Sequence, residues 1–280
     1  MTAEEAFEQS KLEIIGENLV ITSVDDAQKL YGQFIKLRSD LSIIGKQLID
    51  VMPHYRGEQM FGWDIRPGIF RPPLMITEPQ TGKDFERKAI SEFENVITQK
   101  VGNDVLRDLF NKEKHGKDWD LLFQAQHAGI RTTLTDWTAE IISALYFATE
   151  KSENDTIEKS DGQLWCFIVP TQIMYGHSTY PSRDTFYDID PFALREMILI
   201  NPSSYLDDIQ KRIFEYRMYK QKGRFIMHAA DTCHIPLNHQ AEVQKFLFKA
   251  RIPGDRKQSI REELKKKWGI TRSTMYIDEN

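Results

Sequence analysis

Apolar residues recur along this chain at two periods. Ala27, Leu30, Tyr31, Phe34 and Leu37 fall three or four apart, which predicts a helix with one buried face. Ser23 with Asp26 three residues on is a variant of the capping box and starts that helix. A strand is predicted just before it, over Asn18-Leu19-Val20-Ile21-Thr22. Phe85, Ala89, Phe93 and Val96 predict one face of a second helix, residues 84–98. Further helices are predicted over residues 104–110, 119–127, 140–150, 205–220 and 256–268, the third burying Ile141, Ala144, Leu145 and Ala148. The apolar run from Gln163 to Val169, stopped by Pro170, reads as a buried strand, and residues 224–229 as another. Phe246, Phe248, Ala250 and Ile252 alternate with Lys245, Lys249 and Arg251, the period-two pattern of a half-buried strand. Helices dominate the first half and strands the second, without strict alternation. The expected fold is α+β: a small central mixed or antiparallel sheet with several packing helices.

Three sections carry no such period. Residues 151–162 are polar and read as an exposed loop, and residues 171–202 read as irregular. Residues 53–82 hold Pro53, Pro67, Pro72, Pro73 and Pro79 with Gly57, Gly62 and Gly68, which excludes a regular helix. This last section is also rich in arginine and aromatic residues, the content of a packed functional loop rather than a solvated linker.

Composition narrows the class. The chain has 280 residues, 40% hydrophobic and 11% aromatic, too apolar for a disordered protein. No apolar run approaches the roughly 18–20 residues that span a bilayer. The acidic start, Met1-Thr2-Ala3-Glu4-Glu5, lacks the features of a secretory leader, and two cysteines are too few for a disulfide framework. The expectation is a cytoplasmic protein with no membrane partner, one domain over residues 1–280 with 1–25 as an N-terminal extension. A net charge of −5 argues against a constitutive nucleic-acid coat, but the stretch Lys211–Arg224 is locally basic.

Three segments could carry chemistry. Arg56 precedes Gly57 at the end of a short strand, and Arg66 and Arg71 follow among glycines and prolines. Guanidinium groups there would suit a diphosphate, but from spacing alone tying loops together through carbonyls is the favoured reading. Between Gln124 and Thr138, Gly129 can end a helix, Arg131–Thr135 is β-prone, and Asp136 or Thr138 can cap the next helix. His127, Asp136, Trp137 and Thr138 sit at those junctions, so capping and catalysis both remain open for Asp136. Gln221 stands at the start of a strand, where its amide could read a ligand or simply close a basic helix end. His228, Cys233, His234 and His239 match no regular zinc spacing, and no metal is expected.

In this order the segments resemble the FRG domain, named for a Phe-Arg-Gly motif that here reads Tyr55-Arg56-Gly57. The resemblance runs through Pro67-Gly68-Ile69-Phe70-Arg71 and is strongest from Gln126 to Thr138 and from Ala144 to Ala148. It continues at Asp161–Trp165, Gln221–Phe225 and Ile252-Pro253. Two departures stand out: Glu58 intervenes before Gln59, and Thr133 occupies the place of a family arginine, for which Arg131 is a substitute. The order of motifs is in turn similar to the ADP-ribosyltransferase superfamily, which implies a fold of that type and NAD as substrate. That resemblance makes Arg56 the NAD anchor, with Tyr55, Gly57 and Arg71 beside it. Thr132, Thr133 and Thr135 become the second motif and Gln221 the third, with Trp137 and Thr138 also expected to contact NAD. His127 would accept a proton, Tyr55 or Trp137 would stack on nicotinamide, and Asp136 joins the catalytic set. An amide at position 221 opposes a ribose cation poorly, so Glu58, Glu140 or Glu215 stand as carboxylates for that task.

The function so implied is an NAD-dependent ADP-ribosyltransferase, a toxin or phage-defence effector acting on protein, RNA or DNA, with an antitoxin as partner. The alternative is a non-catalytic module that holds a nucleotide or a partner chain. A metal nuclease would need an ordered carboxylate set, and Asp207-Asp208 with scattered acids does not supply one.

Overall fold

The structure, a computed structural model, describes residues 19–44, 53–74, 76–102, 114–168, 188–194, 197–201, 221–244 and 246–276, with Glu5 and Gln9. In chain order the elements are α1 (Val24–Ile44), β1 (Pro53–Glu58), α2 (Pro79–Val101), α3 (Gly116–His127), β2 (Leu134–Thr138) and α4 (Ile141–Thr149). Then come α5 (Asp155–Lys159), β3 (Gly162–Ile168), β4 (Ile198–Ile200), β5 (Gly223–Met227), α6 (Ala241–Gln244), β6 (Leu247–Ile252), α7 (Lys257–Trp268) and α8 (Arg272–Met275). The strands form one antiparallel sheet in the order β4-β5-β2-β1-β3-β6. The expected α+β architecture is present, with six strands. No described helix is long and apolar enough to cross a membrane.

Local signals place most of these elements. Ser23 accepts from the Asp26 N–H at 3.1 Å, one half of the capping arrangement, while Asp26 turns back to accept from the Thr22 N–H and hydroxyl. Ala27, Leu30, Phe34 and Leu37 are buried, whereas Tyr31 is exposed. β6 alternates as its pattern requires, with Phe248, Ala250 and Ile252 inside and Arg251 outside.

Four expectations are corrected. Residues 19–21 make only an isolated bridge beside β6, Val20 opposite Arg251, rather than a strand. The irregular section over 171–202 contains β4. β2 lies at Leu134–Thr138, three residues beyond the predicted Arg131 start, so Asp136 is within a strand and caps no helix. Thr138 does serve the next helix, accepting from the Glu140 N–H at 3.0 Å. The apolar face assigned to α2 is only half right: Phe93 packs against the core and Ala89 is half-buried, but Phe85 and Val96 are exposed, and Lys83, Glu86 and Ile90 are buried. Polar residues occupy that face because they satisfy one another. Glu86 lies 3.6 Å from the Lys83 ammonium and accepts from the Thr133 N–H and hydroxyl. The helices predicted over 104–110 and 205–220, the basic residues 211–220, Asp207-Asp208 and Glu215 lie outside the described residues.

His228 ends the same buried region, its Nε2 3.1 Å from the Thr135 hydroxyl. Burial, with Lys83, Arg56 and Arg71 as neighbouring cations, pushes its pKa down from 6.5 to about 3. The imidazole is therefore neutral in the folded state, while the unfolded chain binds a proton below about pH 6.5. Stability must fall as pH drops through that window. The expected loss on this account is roughly 2 kcal/mol between pH 6.5 and about 4.5. His228→Gln should remove that part of the slope in urea titrations at stepped pH; a variant curve parallel to wild type refutes the assignment.

Candidate functional site

The sheet is not continuous at its centre. β1 and β3 pair over six positions, from Pro53 opposite Ile168 to Glu58 opposite Gln163. β1 and β2 meet at one pair only, Tyr55 opposite Thr138, and diverge beyond it. A side chain spans the gap: the Arg56 guanidinium donates from Nη1 to the Asp136 carbonyl at 2.6 Å. A cleft of about 320 Å³ opens at this split.

Arg56, His127, Asp136 and Gln221, from β1, the end of α3, β2 and the start of β5, all line that cleft. Tyr55, Gly57, Arg71, Trp137 and Thr138 line it as well. Thr132 and Thr133 do not. Thr133 is buried against Glu86 and Lys83, and Thr132 hands its hydroxyl proton to Gln126 Oε1 at 2.6 Å. Arg131 and Arg66 tie loops together. Arg131 donates to the carbonyls of Gly68 and Arg71; Arg66 donates to that of His234 and pairs with Asp64. Glu140 is exposed and does not line the cleft.

Glu58 organises the cationic side. Its Oε1 is 3.0 Å from Arg56 Nε and 3.9 Å from Arg71 Nη2, and its Oε2 accepts from Gln163 Nε2 at 2.7 Å. Gln163 also donates to the Trp63 carbonyl and accepts from the Gly62 N–H, so one buried amide fixes Glu58 and the turn beside it. Arg56 is only 9% exposed, yet Nη2 and one N–H of Nη1 remain for a ligand. Enclosure and the neighbouring Arg56 push the Arg71 pKa down to about 10, which leaves it a cation at neutral pH.

The opposite wall is built by the C-terminal segment. Thr138 donates to the Gln221 carbonyl at 2.6 Å, and the Gln221 side chain donates from Nε2 to the Met275 carbonyl at 2.8 Å. One N–H of the Gln221 amide is thus engaged, and its Oε1 accepts no hydrogen bond among the described residues. Tyr276 closes this side, its hydroxyl donating to Glu150 at 2.9 Å and its ring 6.2 Å from that of Phe147.

The rings expected to stack on a ligand face the core instead. Tyr55 is fully buried against Tyr31 and Phe34, and Trp137 is buried against Phe167 with its indole N–H donated to Thr135. The exposed ring on the cleft is Trp63, at 42%. Its place in an irregular loop gave no periodic signal, which is why spacing did not single it out. Gln59, Gln126, Phe147 and Tyr276 were also outside the candidate set.

The strand, cleft and helix just described fall largely within one segment of the chain. Residues 53–156 of the chain match the FRG domain. No curated protein and no solved structure matches it. The FRG segment supplies β1 with Arg56, the loop after it with Arg71, the end of α3 with His127 and β2 with Asp136. Gln221 and Tyr276 reach the cleft from beyond the matched residues.

Proposed function

We propose that the FRG domain binds NAD in the split of the sheet and transfers its ADP-ribose to a macromolecular acceptor. The observation that carries this reading is convergence. The first-motif Arg56 and the third-motif Gln221 line one cleft, together with His127, Asp136 and Thr138, while the second-motif Thr132, Thr133 and Thr135 lie outside it. Arg56 and Arg71 supply paired cations for the diphosphate. Trp63 on one side and Phe147 with Tyr276 on the other offer apolar faces for the two ring ends of the dinucleotide. The cleft volume lies at the lower end of the roughly 300–1,000 Å³ common for ligand pockets.

The reaction is a substitution at the ribose. The bond between C1′ and the nicotinamide nitrogen breaks with its electron pair leaving on nicotinamide, C1′ develops oxocarbenium character, and an acceptor heteroatom bonds to it while losing a proton. Fixed by Glu58 and the Asp136 carbonyl, Arg56 holds the diphosphate so that C1′ is presented to the acceptor. His127, which lines the cleft, takes the acceptor proton in this reading.

Incubation of the protein with NAD labelled in the adenylate moiety and with cell lysate tests the reading. Nicotinamide release with label transferred to protein or nucleic acid is expected. Tight binding of intact NAD without release would instead indicate a non-catalytic nucleotide module. Neither binding nor release overturns both.

A further inference from the structure

We propose that Asp136 is the carboxylate that faces the ribose cation, an inference that rests on the transferase reading. The reaction builds positive charge at C1′ and the ring oxygen, and Gln221 presents only an amide oxygen to it. A formal anion opposes that charge better. Among the described residues two carboxylates line the cleft, Glu58 and Asp136.

Glu58 is already neutralised. Both oxygens are engaged, by Arg56 and Arg71 on one side and by Gln163 on the other, and the residue is 6% exposed. Asp136 is exposed and makes no close ion pair among the described residues, feeling Arg71 only at longer range. Its neighbour Arg56 donates to its backbone carbonyl and leaves the side chain alone.

A directional chain holds that carboxylate in place. The Leu134 N–H donates to the Thr132 hydroxyl at 3.1 Å, which forces the hydroxyl proton toward Gln126 Oε1 at 2.6 Å. Gln126 is thereby locked with its N–H₂ toward Asp136, donating to Oδ2 at 2.9 Å. Oδ2 is held by this bond, and Oδ1 accepts no hydrogen bond among the described residues. Gln126 and Thr132 are therefore positioning residues, and Thr132, absent from the cleft surface, acts through Gln126. In the transfer step Asp136 remains an anion: it forms no bond to C1′, and the acceptor proton leaves through His127 or water.

The test is Asp136→Asn, which keeps the size of the side chain and removes its charge. NAD affinity by calorimetry should stay within about threefold, while the rate of nicotinamide release falls about 100-fold or more. Thr132→Val should lower the rate about tenfold at unchanged affinity. Asp136→Ser, read in the same assays, covers misfolding of the Asn variant. Wild type that neither binds NAD nor releases nicotinamide fails the transferase reading itself. Active wild type with an equally active Asp136→Asn variant overturns the present inference alone. So does a variant whose affinity falls as far as its rate, because Asp136 would then be a binding group.

Discussion

A Gly57→Ala chain is expected to lose its native fold. A Cβ at position 57 would sit 1.8 Å from the Ala144 carbonyl oxygen and 2.6 Å from the Ala148 nitrogen. Both are backbone atoms of α4, which lies directly on β1 with only the small faces of Ala144 and Ala148 between. No side-chain rotation relieves such an overlap, so the helix must move off the strand and open the core beneath it. The expected cost is about 4–5 kcal/mol, the upper end for single substitutions and a large share of a domain's stability. Urea denaturation checks it; a midpoint equal to wild type would show that α4 does not pack this closely. The glycine of the Tyr-Arg-Gly motif thus has a packing reason independent of any ligand.

Arg56→Ala should abolish NAD-dependent activity, with nicotinamide release reduced about 1,000-fold or more. The guanidinium has three tasks at once: it faces the cleft, neutralises Glu58 and bridges the split to the Asp136 carbonyl. Removing it leaves Glu58 buried with only the more distant Arg71 as cation, a loss of about 3–5 kcal/mol in stability. The pair Arg56→Met with Glu58→Gln separates the two effects, since it removes the unpaired charge with the cation. That double variant should recover most of the stability and none of the activity. Arg56→Lys should also fail, because a single ammonium cannot reach Glu58 and the Asp136 carbonyl in the planar geometry the guanidinium uses. Full turnover by Arg56→Lys would remove Arg56 from the mechanism.

Much of the fold was legible from local pattern. α1, α3, α4, β3, β6 and α7 follow from apolar period, caps and breakers that act within a few residues. Gly129, at φ 81°, ends the turn after α3 as its position suggests. The failures have a common cause. α2 buries Lys83 and Glu86 because Thr133, about fifty residues on, completes their hydrogen bonds, and an apolar-face rule cannot see a partner at that distance. β4 is three residues long, too short for a period to show.

The site divides in the same way. The order of motifs singled out Arg56, His127, Asp136 and Gln221, and all four line one cleft. The sequence by itself determined which side chains carry charge and hydrogen-bonding capacity and which strands and helices hold them. It also set the glycine that lets α4 settle on β1. Only the tertiary structure decided that β1 and β2 part after one pair, and that Gln163 and Arg56 neutralise Glu58 while Asp136 stays open. It also decided that Trp63, not Tyr55 or Trp137, shows its ring to the cleft. The physical reason is range: propensity and capping act over a few residues. The gap in the sheet, the burial of a ring and the pairing of a charge depend on strands 80 and more positions apart coming together.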